Sequence, residues 1–489
     1  MCSVVEILAQ RAAEKPVLVA IRDRTSISYG ELWERVSAAA GYLSNRGVGQ
    51  GDRVLLAAAS QPAFAVAYFA THLVGGVAVP VDPAAPDARL HQIIESTKPA
   101  IAVCNNSARI GYSACPIVSL GELDGHPQAQ REFDFPLPET LADLIFTTGT
   151  TGRPKGVQLT HSNLAAAANH INAVIQICQQ DVEVVPLPLY HSFGLGRLRC
   201  VLTAGASLAL VDGFRLPGEV FSALDRHQAT GLVGVPAGMA ILLRFGARGL
   251  GAFADQLRYI EIGSAPMPIE QKQLLMSLLP NTSLFMHYGL TEASRSAFIE
   301  FHRDRDRLDT VGLPAPGVQI EVRDVSDLEN GVGRLWVSGN HVSTGYWQDP
   351  ELTATSFADG WVCSGDMAQI DSEGYVRLFG RQDDVVNVGG FKVWPEEVER
   401  VLAEHPAVEE AACLGLPDPR GIAGQVVGAF LVGAVNQIQP SDEELARWAS
   451  ERLEPYKVPT RFTWTSHLPR TTSGKLLRST LREQVMTTT

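Results

Sequence analysis

The feature that most constrains the fold is the alternation of short apolar runs with longer segments of helical periodicity up to about residue 290. Apolar residues at helical spacing predict helices over segments such as 29–47 and 162–177. The apolar runs predict strands at 53–59, 77–82, 100–104, 144–148, 207–212, 231–236, 259–264 and 284–289. Strands that alternate with helices predict an α/β fold with substantially parallel sheets.

The pattern changes after about residue 310. Short runs interrupted by Gly, Pro and Asp predict a small β-rich subdomain over about 310–380, with strands at 318–324, 333–339, 367–371 and 374–380. After the segment "GRQDD", which starts at residue 380, the order helix, two strands, helix and strand predicts a compact α+β unit. We therefore expect more than one domain, which suits a chain of 489 residues.

Charge and cysteine usage exclude several classes of protein. The net charge of −13 argues against nucleic acid or an anionic membrane surface as the main partner. The seven cysteines are scattered and form no Cys-x-x-Cys pair, so neither a disulfide framework nor a structural zinc site is expected. The longest apolar run, 63–82, contains His72, two glycines and Pro80, so it predicts no membrane span. The first residues predict an amphipathic helix and no signal peptide, and we expect a cytoplasmic protein.

The segment "TTGTTGRPKG", residues 147–156, combines hydroxyls, glycines and cations in a way that suits an anionic ligand. It is not a Walker loop, because a Walker loop has Gly-Lys-Ser/Thr followed at once by a helix, and here strand-like residues follow Lys155. The sequence predicts two strands joined by a loop that binds phosphate. The alternative is an ordinary hairpin rich in Gly and Thr. The predicted phosphate-binding residues are Thr147, Thr148, Gly149, Thr150, Thr151, Gly152 and Lys155.

The stretch "LIFTTGTTGRPKGV" resembles the signature loop of the ANL superfamily of adenylate-forming enzymes. This superfamily comprises acyl- and aryl-CoA synthetases, adenylation domains of nonribosomal peptide synthetases, and luciferases. Further resembling motifs follow in the order of the family: "GSAPMP" (263–268), "HYGLTEAS" (287–294), "GYW" (345–347), "WVCSGDMAQID" (361–371), "GRQDDVVNVGGFKVWPEEVE" (380–399) and "PRTTSGKLLR" (469–478). The resemblance covers nearly the whole chain.

The resemblance implies a large N-terminal adenylation domain, residues 1–380, built of stacked mixed and parallel sheets with helices. It also implies a small mobile α+β domain, residues 381–489. In this family ATP converts a carboxylate to an acyl-adenylate, and a nucleophile then attacks the activated carbonyl. The first step places negative charge around the α-phosphate, which cations and Mg²⁺ stabilise.

The same resemblance implies roles for single residues. Thr291 contacts the α-phosphate, and Glu292 binds Mg²⁺. Lys475 bridges the phosphate and the substrate carboxylate during adenylation. The residues with nucleotide or pantetheine contacts are Gly263, Ser264, Ala265, Pro266, Tyr288 and Gly289 for the adenine side, Asp366 and Arg381 for the ribose, and Gly389 and Gly390 for the pantetheine tunnel.

Each of these residues also has a structural interpretation when it is considered alone. Thr291 and Glu292 have the pattern of a helix start, and the segment after residue 262 has that of a packing corner between strand and loop. An Asp in a turn and a Lys in a polar loop are common surface features. Only the combination of motifs favours the catalytic interpretation.

Three positions bear on the substrate. His191 lies where amino-acid-activating relatives carry an aspartate, and its position favours a role at the acyl pocket or thiol tunnel over a purely structural one. Asn387 stands where many acyl-CoA ligases carry a lysine. Arg295 follows the magnesium motif, where a smaller or uncharged residue is expected. It either contacts a second polar group on the acid or, as we expect, forms an ion pair at the surface.

We therefore expect an ATP-dependent carboxylate–CoA ligase that uses Mg²⁺ and coenzyme A and acts on an aliphatic or aromatic acid without an α-amine. One alternative is an acyl-AMP ligase that delivers the acyl group to a carrier-protein phosphopantetheine or to an amine. Another is a non-catalytic nucleotide-binding or scaffold protein, which the joint presence of Lys155, Thr291, Glu292, Asp366 and Lys475 argues against. The expected partners are a small carboxylic acid, ATP, and CoA or a carrier protein, with the chain as a monomer or homodimer.

Overall fold

The computed structural model describes residues 2–23, 26–105, 115–125, 132–148, 154–327, 331–381, 384–388, 391–419, 424–470, 476–478 and 480–482. The chain divides into two compact units. Unit one comprises residues 1–320 and 337–362, and unit two comprises residues 321–336 and 363–489. The domain boundary expected between residues 380 and 381 stays a prediction.

Helices and strands are numbered in chain order. The helices are α1 (Val4–Glu14), α2 (Tyr29–Asn45), α3 (Pro62–Leu73), α4 (Asp87–Thr97), α5 (Leu120–Asp124), α6 (His161–Ile175), α7 (Ser192–Ala204), α8 (Pro217–Arg226), α9 (Pro236–Leu243), α10 (Ile269–Leu278), α11 (Pro350–Ser356), α12 (Pro395–Ala403) and α13 (Asp442–Ser450). The strands of the first half are β1 (Val19–Arg22), β2 (Ser26–Ser28), β3 (Arg53–Ala57), β4 (Val77–Pro80), β5 (Ile101–Cys104), β6 (Ile117–Ser119), β7 (Leu141–Thr148), β8 (Pro154–Thr160), β9 (Val182–Val185), β10 (Ser207–Leu210), β11 (Gly231–Gly234), β12 (Tyr259–Ile262) and β13 (Ser283–Tyr288). Those of the second half are β14 (Ala297–Glu300), β15 (Leu313–Pro314), β16 (Gln319–Asp327), β17 (Val332–Ser338), β18 (Gly345–Tyr346), β19 (Phe357–Ala358), β20 (Trp361–Ile370), β21 (Val376–Arg381), β22 (Val386–Val388), β23 (Phe391–Val393), β24 (Val408–Pro417), β25 (Gln425–Gly433) and β26 (Arg461–Thr465).

Unit one is built on two large sheets. The nine-stranded sheet has the order β15-β14-β13-β12-β11-β9-β10-β1-β2, and the seven-stranded sheet has the order β18-β8-β7-β4-β3-β5-β6. The inner strands of both sheets pair in parallel, and antiparallel pairs lie at both edges of the nine-stranded sheet and at the β18 edge of the seven-stranded sheet, while β6 pairs with β5 in parallel. All eight strands expected before residue 290 form, so the predicted α/β fold class is confirmed.

Two helices begin within one residue of the predicted positions, α2 at Tyr29 and α6 at His161. Ser28 caps α2 by accepting a hydrogen bond from the backbone N–H of Glu31. Thr160 caps α6 in a reciprocal arrangement with Asn163, which satisfies two backbone N–H groups at once. Buried side chains of helices such as α1, α2 and α6 pack with those of the strands, and the continuous core of unit one runs from Val4 to Tyr346 in the sequence. Within the described ranges, no helix combines the length and apolarity that a membrane crossing requires.

Unit two contains a small three-stranded sheet of the order β24-β25-β26, and β22 and β23 form a separate antiparallel pair. Buried residues of α12 and α13 pack with this sheet, among them Val398, Leu402 and Leu445. The predicted order of helix, two strands, helix and strand is therefore confirmed for the C-terminal part. The short β-rich strands expected between 310 and 380 also form. They belong to a five-stranded sheet of the order β16-β17-β20-β19, with β21 paired to β20.

Candidate active site

The predicted phosphate loop connects two antiparallel strands, β7 and β8. Thr147 pairs with Lys155, and Thr148 pairs with Pro154, at the end of this hairpin. The expected strand–loop–strand arrangement is therefore present on both sides of the loop. The four central residues Gly149, Thr150, Thr151 and Gly152 lie outside the described residues.

Tyr346 connects Glu292, the residue predicted to bind Mg²⁺, with the β7–β8 hairpin. Its short strand pairs with β8, with Tyr346 opposite Val157. The Tyr346 hydroxyl donates a hydrogen bond of 2.7 Å to Oε1 of Glu292. On the same ring, Nζ of Lys155 lies 5.9 Å from the centroid, within the range of a cation–π contact. A cation and a carboxylate from distant parts of the sequence thus contact the same tyrosine.

Tyr346 was not among the residues predicted from the sequence, although the motif "GYW" that contains it was recognised. The sequence feature that could have indicated Tyr346 is its type: a tyrosine, with a hydroxyl on an aromatic ring, within a motif that occurs in the order of the family. Its contact with Glu292 depends on a strand pairing between residues far apart in the chain, which local periodicity does not reveal.

The residues at Glu292 fit a magnesium ion that is shared with a phosphate ligand. Glu292 supplies a half-buried carboxylate, and the adjacent Thr291 supplies a hydroxyl, so both are hard oxygen donors. Among the described residues, no group of three or more His, Cys, Asp or Glu side chains is close enough to form a metal cage. In nucleotide sites Mg²⁺ is usually bound by one or two carboxylates together with substrate phosphates and waters.

The two segments predicted for the adenine side lie at one edge of the nine-stranded sheet. Gly263 follows β12 and Tyr288 ends β13, and these strands are parallel neighbours with Ile262 opposite Met286. The carboxyl ends of parallel strands form the edge where ligands bind in open α/β sheets. A Cβ atom at residue 263 would collide with the ring of His287, so the turn requires glycine there. The next residue, Ser264, has a positive φ of 76°.

Beneath this edge lies a buried cluster of charged residues that the sequence analysis missed. Glu261 forms ion pairs with Nη1 of Arg197 at 2.6 Å and with Nε of Arg295 at 2.7 Å, and its Oε1 lies 2.7 Å from Nδ1 of His287. Arg197 also forms a hydrogen bond of 2.9 Å from its Nε to Glu183. Burial alone would raise the pKa of Glu261, but Arg197 and Arg295 hold it below its ordinary range. The signal available was a glutamate within each of two otherwise apolar strands, at 183 and 261.

The expectation of a surface ion pair for Arg295 is wrong. The residue is 3% exposed, and its guanidinium contacts Glu261, the carbonyl of Phe193 and the hydroxyl of Ser294. It was expected at the surface because charged residues are rarely buried. Here the glutamate supplies the opposite charge that makes burial tolerable.

His191 occupies the N-cap position of α7 and is half-buried. Burial lowers the pKa of this imidazole. The charge of Asp82 raises the pKa of His191 and the charge of Arg89 lowers it, so both charged groups lie near the ring.

The predicted ribose-binding residues lie in unit two. Asp366 and Arg381 are partners across the antiparallel pair of β20 and β21, and Nη1 of Arg381 lies 3.2 Å from Oδ1 of Asp366. The side chain of Asn387 is exposed, and its backbone N–H donates a hydrogen bond of 2.9 Å to the side chain of Gln425. Lys475, Gly389 and Gly390 lie outside the described residues. The roles assigned to all site residues stay predictions.

The sequence matches two protein-family models. Residues 6–347 match the AMP-binding enzyme family, and residues 397–475 match the AMP-binding enzyme C-terminal domain. The first match alone covers more than half of the chain.

Curated and solved relatives agree with these matches. A feruloyl-CoA synthase from Amycolatopsis sp is 32% identical over 97% of this chain and 97% of its own length. The ATP-bound structure of MatB from Rhodopseudomonas palustris is 30% identical, covers 98% of both chains and has a TM-score of 0.91. An o-succinylbenzoate coenzyme A synthetase from Bacillus subtilis, solved with ATP and a magnesium ion, is 28% identical, covers 97% of this chain and 99% of its own, and has a TM-score of 0.89. The chain therefore belongs to the AMP-binding enzyme family, within the ANL superfamily of adenylate-forming enzymes.

Proposed function

We propose that this enzyme activates a carboxylic acid that lacks an α-amine and transfers the acyl group to coenzyme A. The enzyme is an acid–thiol ligase that uses ATP, Mg²⁺ and CoA. A carboxylate oxygen attacks the α-phosphorus of ATP, and pyrophosphate leaves. The CoA sulfur then attacks the carbonyl carbon of the acyl-adenylate, the thiol loses its proton, and AMP leaves.

The observation that carries this proposal is that Lys155 contacts the ring of Tyr346 and Glu292 contacts the hydroxyl of the same residue. A nucleoside triphosphate requires cations for its phosphate oxygens and a carboxylate for its magnesium ion. The contacts of Tyr346 hold both groups on one side of unit one, next to the hairpin that carries the loop of threonines and glycines. This arrangement suits the polyphosphate end of ATP.

The charges near His191 support an acid without an ammonium group. Burial favours the neutral form of the imidazole. Asp82 raises the pKa of His191 and of Arg89, and burial lowers both by more. Amino-acid-activating relatives carry an aspartate where this chain has His191, and a neutral imidazole supplies no negative charge for a substrate ammonium. Burying an unpaired ammonium costs several kcal/mol, roughly.

A panel assay tests the proposal directly. Pyrophosphate release is measured with ATP, Mg²⁺ and single acids: fatty acids of several lengths, benzoic and cinnamic acids, and proteinogenic amino acids. Each reaction is run with and without CoA, and thioester formation is followed by mass spectrometry. We expect release with simple or aryl acids and a thioester only when CoA is present. Equal or faster turnover of an amino acid would contradict the substrate class.

The same assay separates the acceptors. An acyl-adenylate that accumulates with CoA, but is consumed when a phosphopantetheine-bearing carrier protein or an amine is added, would identify the alternative acyl-AMP ligase. The absence of pyrophosphate release from every acid would contradict the adenylation itself.

A further inference from the structure

The side chain of Arg295 touches three segments of the candidate active site. Its Nε donates to Glu261, which precedes the Gly263 turn by two residues, and its Nη2 donates to the carbonyl oxygen of Phe193 at 3.1 Å. Phe193 follows His191 by two residues in the first turn of α7. Arg295 itself follows Glu292 by three residues.

The guanidinium also packs closely against α7. It lies over the ring of Phe193, with the central carbon 4.7 Å from the centroid. A Cβ atom at residue 196 would collide with Nη1 of Arg295, so only glycine at this position of the helix leaves room for the guanidinium. The side chain is therefore enclosed by α7 on one side and by β12 on the other.

The backbone of Arg295 is fixed as firmly as its side chain. Its φ is 54°, a left-handed conformation that residues other than glycine rarely adopt. Gly289 packs so closely on the backbone N of Arg295 that no Cβ would fit there. The carbonyl oxygen of Arg295 lies 3.1 Å from Nε2 of His170 on α6 and is its hydrogen-bond acceptor. The turn that carries Thr291 and Glu292 thus lies between two fixed points, Gly289 and Arg295.

We infer that Arg295 is a positioning residue for adenylation, which holds the Thr291–Glu292 turn in register with the Gly263 turn and with the His191 end of α7. The inference rests on the function proposed above. The charge of Arg295 is matched by Glu261, and three of its donors are used within the protein, so its role is to orient other groups. A lysine in its place would carry the charge but would lack the planar fork that reaches Glu261, Ser294 and Phe193 together.

The experiment compares the two half-reactions in Arg295→Met, Arg295→Lys and wild type. Adenylation is measured as pyrophosphate release, and thioester formation is measured from a supplied acyl-adenylate and CoA. A displacement of about 1 Å costs on the order of 10²-fold in rate. We expect the rate of adenylation to fall about 100-fold in Arg295→Met, and the rate of thioester formation to fall at least tenfold less. Compared with Arg295→Met, Arg295→Lys should recover more of the thermal stability than of the adenylation rate.

Arg199→Met is the matched control. Arg199 is also buried on α7, six residues after Phe193, and its Nη1 lies 3.0 Å from Asp143 and 2.9 Å from the hydroxyl of Tyr68, so its contacts join α7 to neither the Gly263 turn nor the Thr291–Glu292 turn. Its loss should destabilise the fold and leave the ratio of the two half-reactions unchanged. If Arg295→Met does not fold, Arg295→Lys against Arg199→Lys makes the same comparison.

Two results would overturn the inference. One is an unchanged ratio of half-reactions in the Arg295 variants. The other is an Arg199 variant with the same change in ratio, which would indicate a general effect of losing a buried charge. Failure of the proposed function is distinguishable, because wild type would then release no pyrophosphate with any acid.

Discussion

The hydroxyl of Tyr346 and the carboxylate of Glu292 are joined by a 2.7 Å hydrogen bond, although the two residues lie 54 positions apart in the sequence. A carboxylate that accepts such a bond has one oxygen oriented by the protein. A carboxylate also has a second oxygen, which can bind another ligand. The contact therefore orients the proposed magnesium-binding group before any ligand arrives.

Replacing Tyr346 with phenylalanine should weaken magnesium dependence selectively. Loss of a hydrogen bond that orients a metal-binding carboxylate typically costs about 10–100-fold in metal affinity. We expect the Mg²⁺ concentration for half-maximal pyrophosphate release to rise by that factor. Tyr42→Phe is the control, because the Tyr42 hydroxyl donates a similar bond, 2.5 Å, to Glu122 outside the candidate site. Equal magnesium titrations for the two variants would contradict the prediction.

Replacing Lys475 with alanine should affect one half-reaction. The resemblance places this cation at the charge that develops during adenylation, and removing one preorganised donor typically costs on the order of 10²–10³ in rate. We expect pyrophosphate release to fall by at least that factor, while thioester formation from a supplied acyl-adenylate persists. An equal loss in both half-reactions would indicate a general role in folding or binding.

The Asp383→Pro variant tests the proposed alternation of the C-terminal domain. The resemblance assigns Lys475 to adenylation and Gly389 and Gly390 to thiol attack, so we expect two different loops of this domain to serve the two steps. Asp383, which lies outside the described residues, resembles the hinge position of the family, and proline fixes φ near about −65°. In quenched single-turnover assays with labelled ATP, we expect pyrophosphate release and accumulation of acyl-adenylate, with little thioester after CoA is added. Thioester formation at the wild-type rate would mean that the pivot lies elsewhere or that no rotation is needed.

Acidification should destabilise the protein through histidines that are buried in their neutral form. Burial is the main cause that lowers the pKa of His161 to about 3, of His170 to about 4 and of His341 to about 3. Between the ordinary histidine pKa of about 6.5 and these values, the unfolded state binds more protons than the folded state. Stability should therefore be highest above about pH 6.5 and fall by about 1.4 kcal/mol per pH unit for each histidine below it.

Urea denaturation midpoints between pH 7.5 and 4.5 measure this dependence. His341→Asn should reduce the slope, because one of the three buried imidazoles is then absent. The exposed His467 provides a control, and His467→Asn should leave the slope unchanged. A midpoint that is constant from pH 7.5 to 5 would contradict the prediction.

The fold was largely predictable because its signals are local. Strands such as β3 and β12 are short apolar runs, and helices such as α2 and α6 carry both a helical period and a capping residue. The phosphate hairpin was also predictable, since the residues after Lys155 are strand-like and a helix signal appears only near Ser162. These features depend on residues that are close in the sequence, so the local sequence pattern is enough to predict them.

The parts that escaped prediction depend on pairings between distant residues. Arg295 was expected at the surface because charged residues are rarely buried, and the residue that makes its burial tolerable, Glu261, lies on a strand 34 positions away. Tyr346 was missed because its partner Glu292 is also distant in the sequence. A glutamate inside a buried strand indicates that a cation must lie opposite it, but the sequence does not indicate which arginine fills that place.

The pairing of β18 with β8 has a consequence for synthesis on the ribosome. β8 is made early, at residues 154–160, but the strand that covers its outer edge is completed only at residue 346. Until then the seven-stranded sheet has an open edge, whose unpaired N–H and C=O groups can template association with other chains. A nascent chain that pauses before residue 346 therefore exposes this edge, and rapid translation through this stretch, or a chaperone that covers the hairpin, would protect it from aggregation.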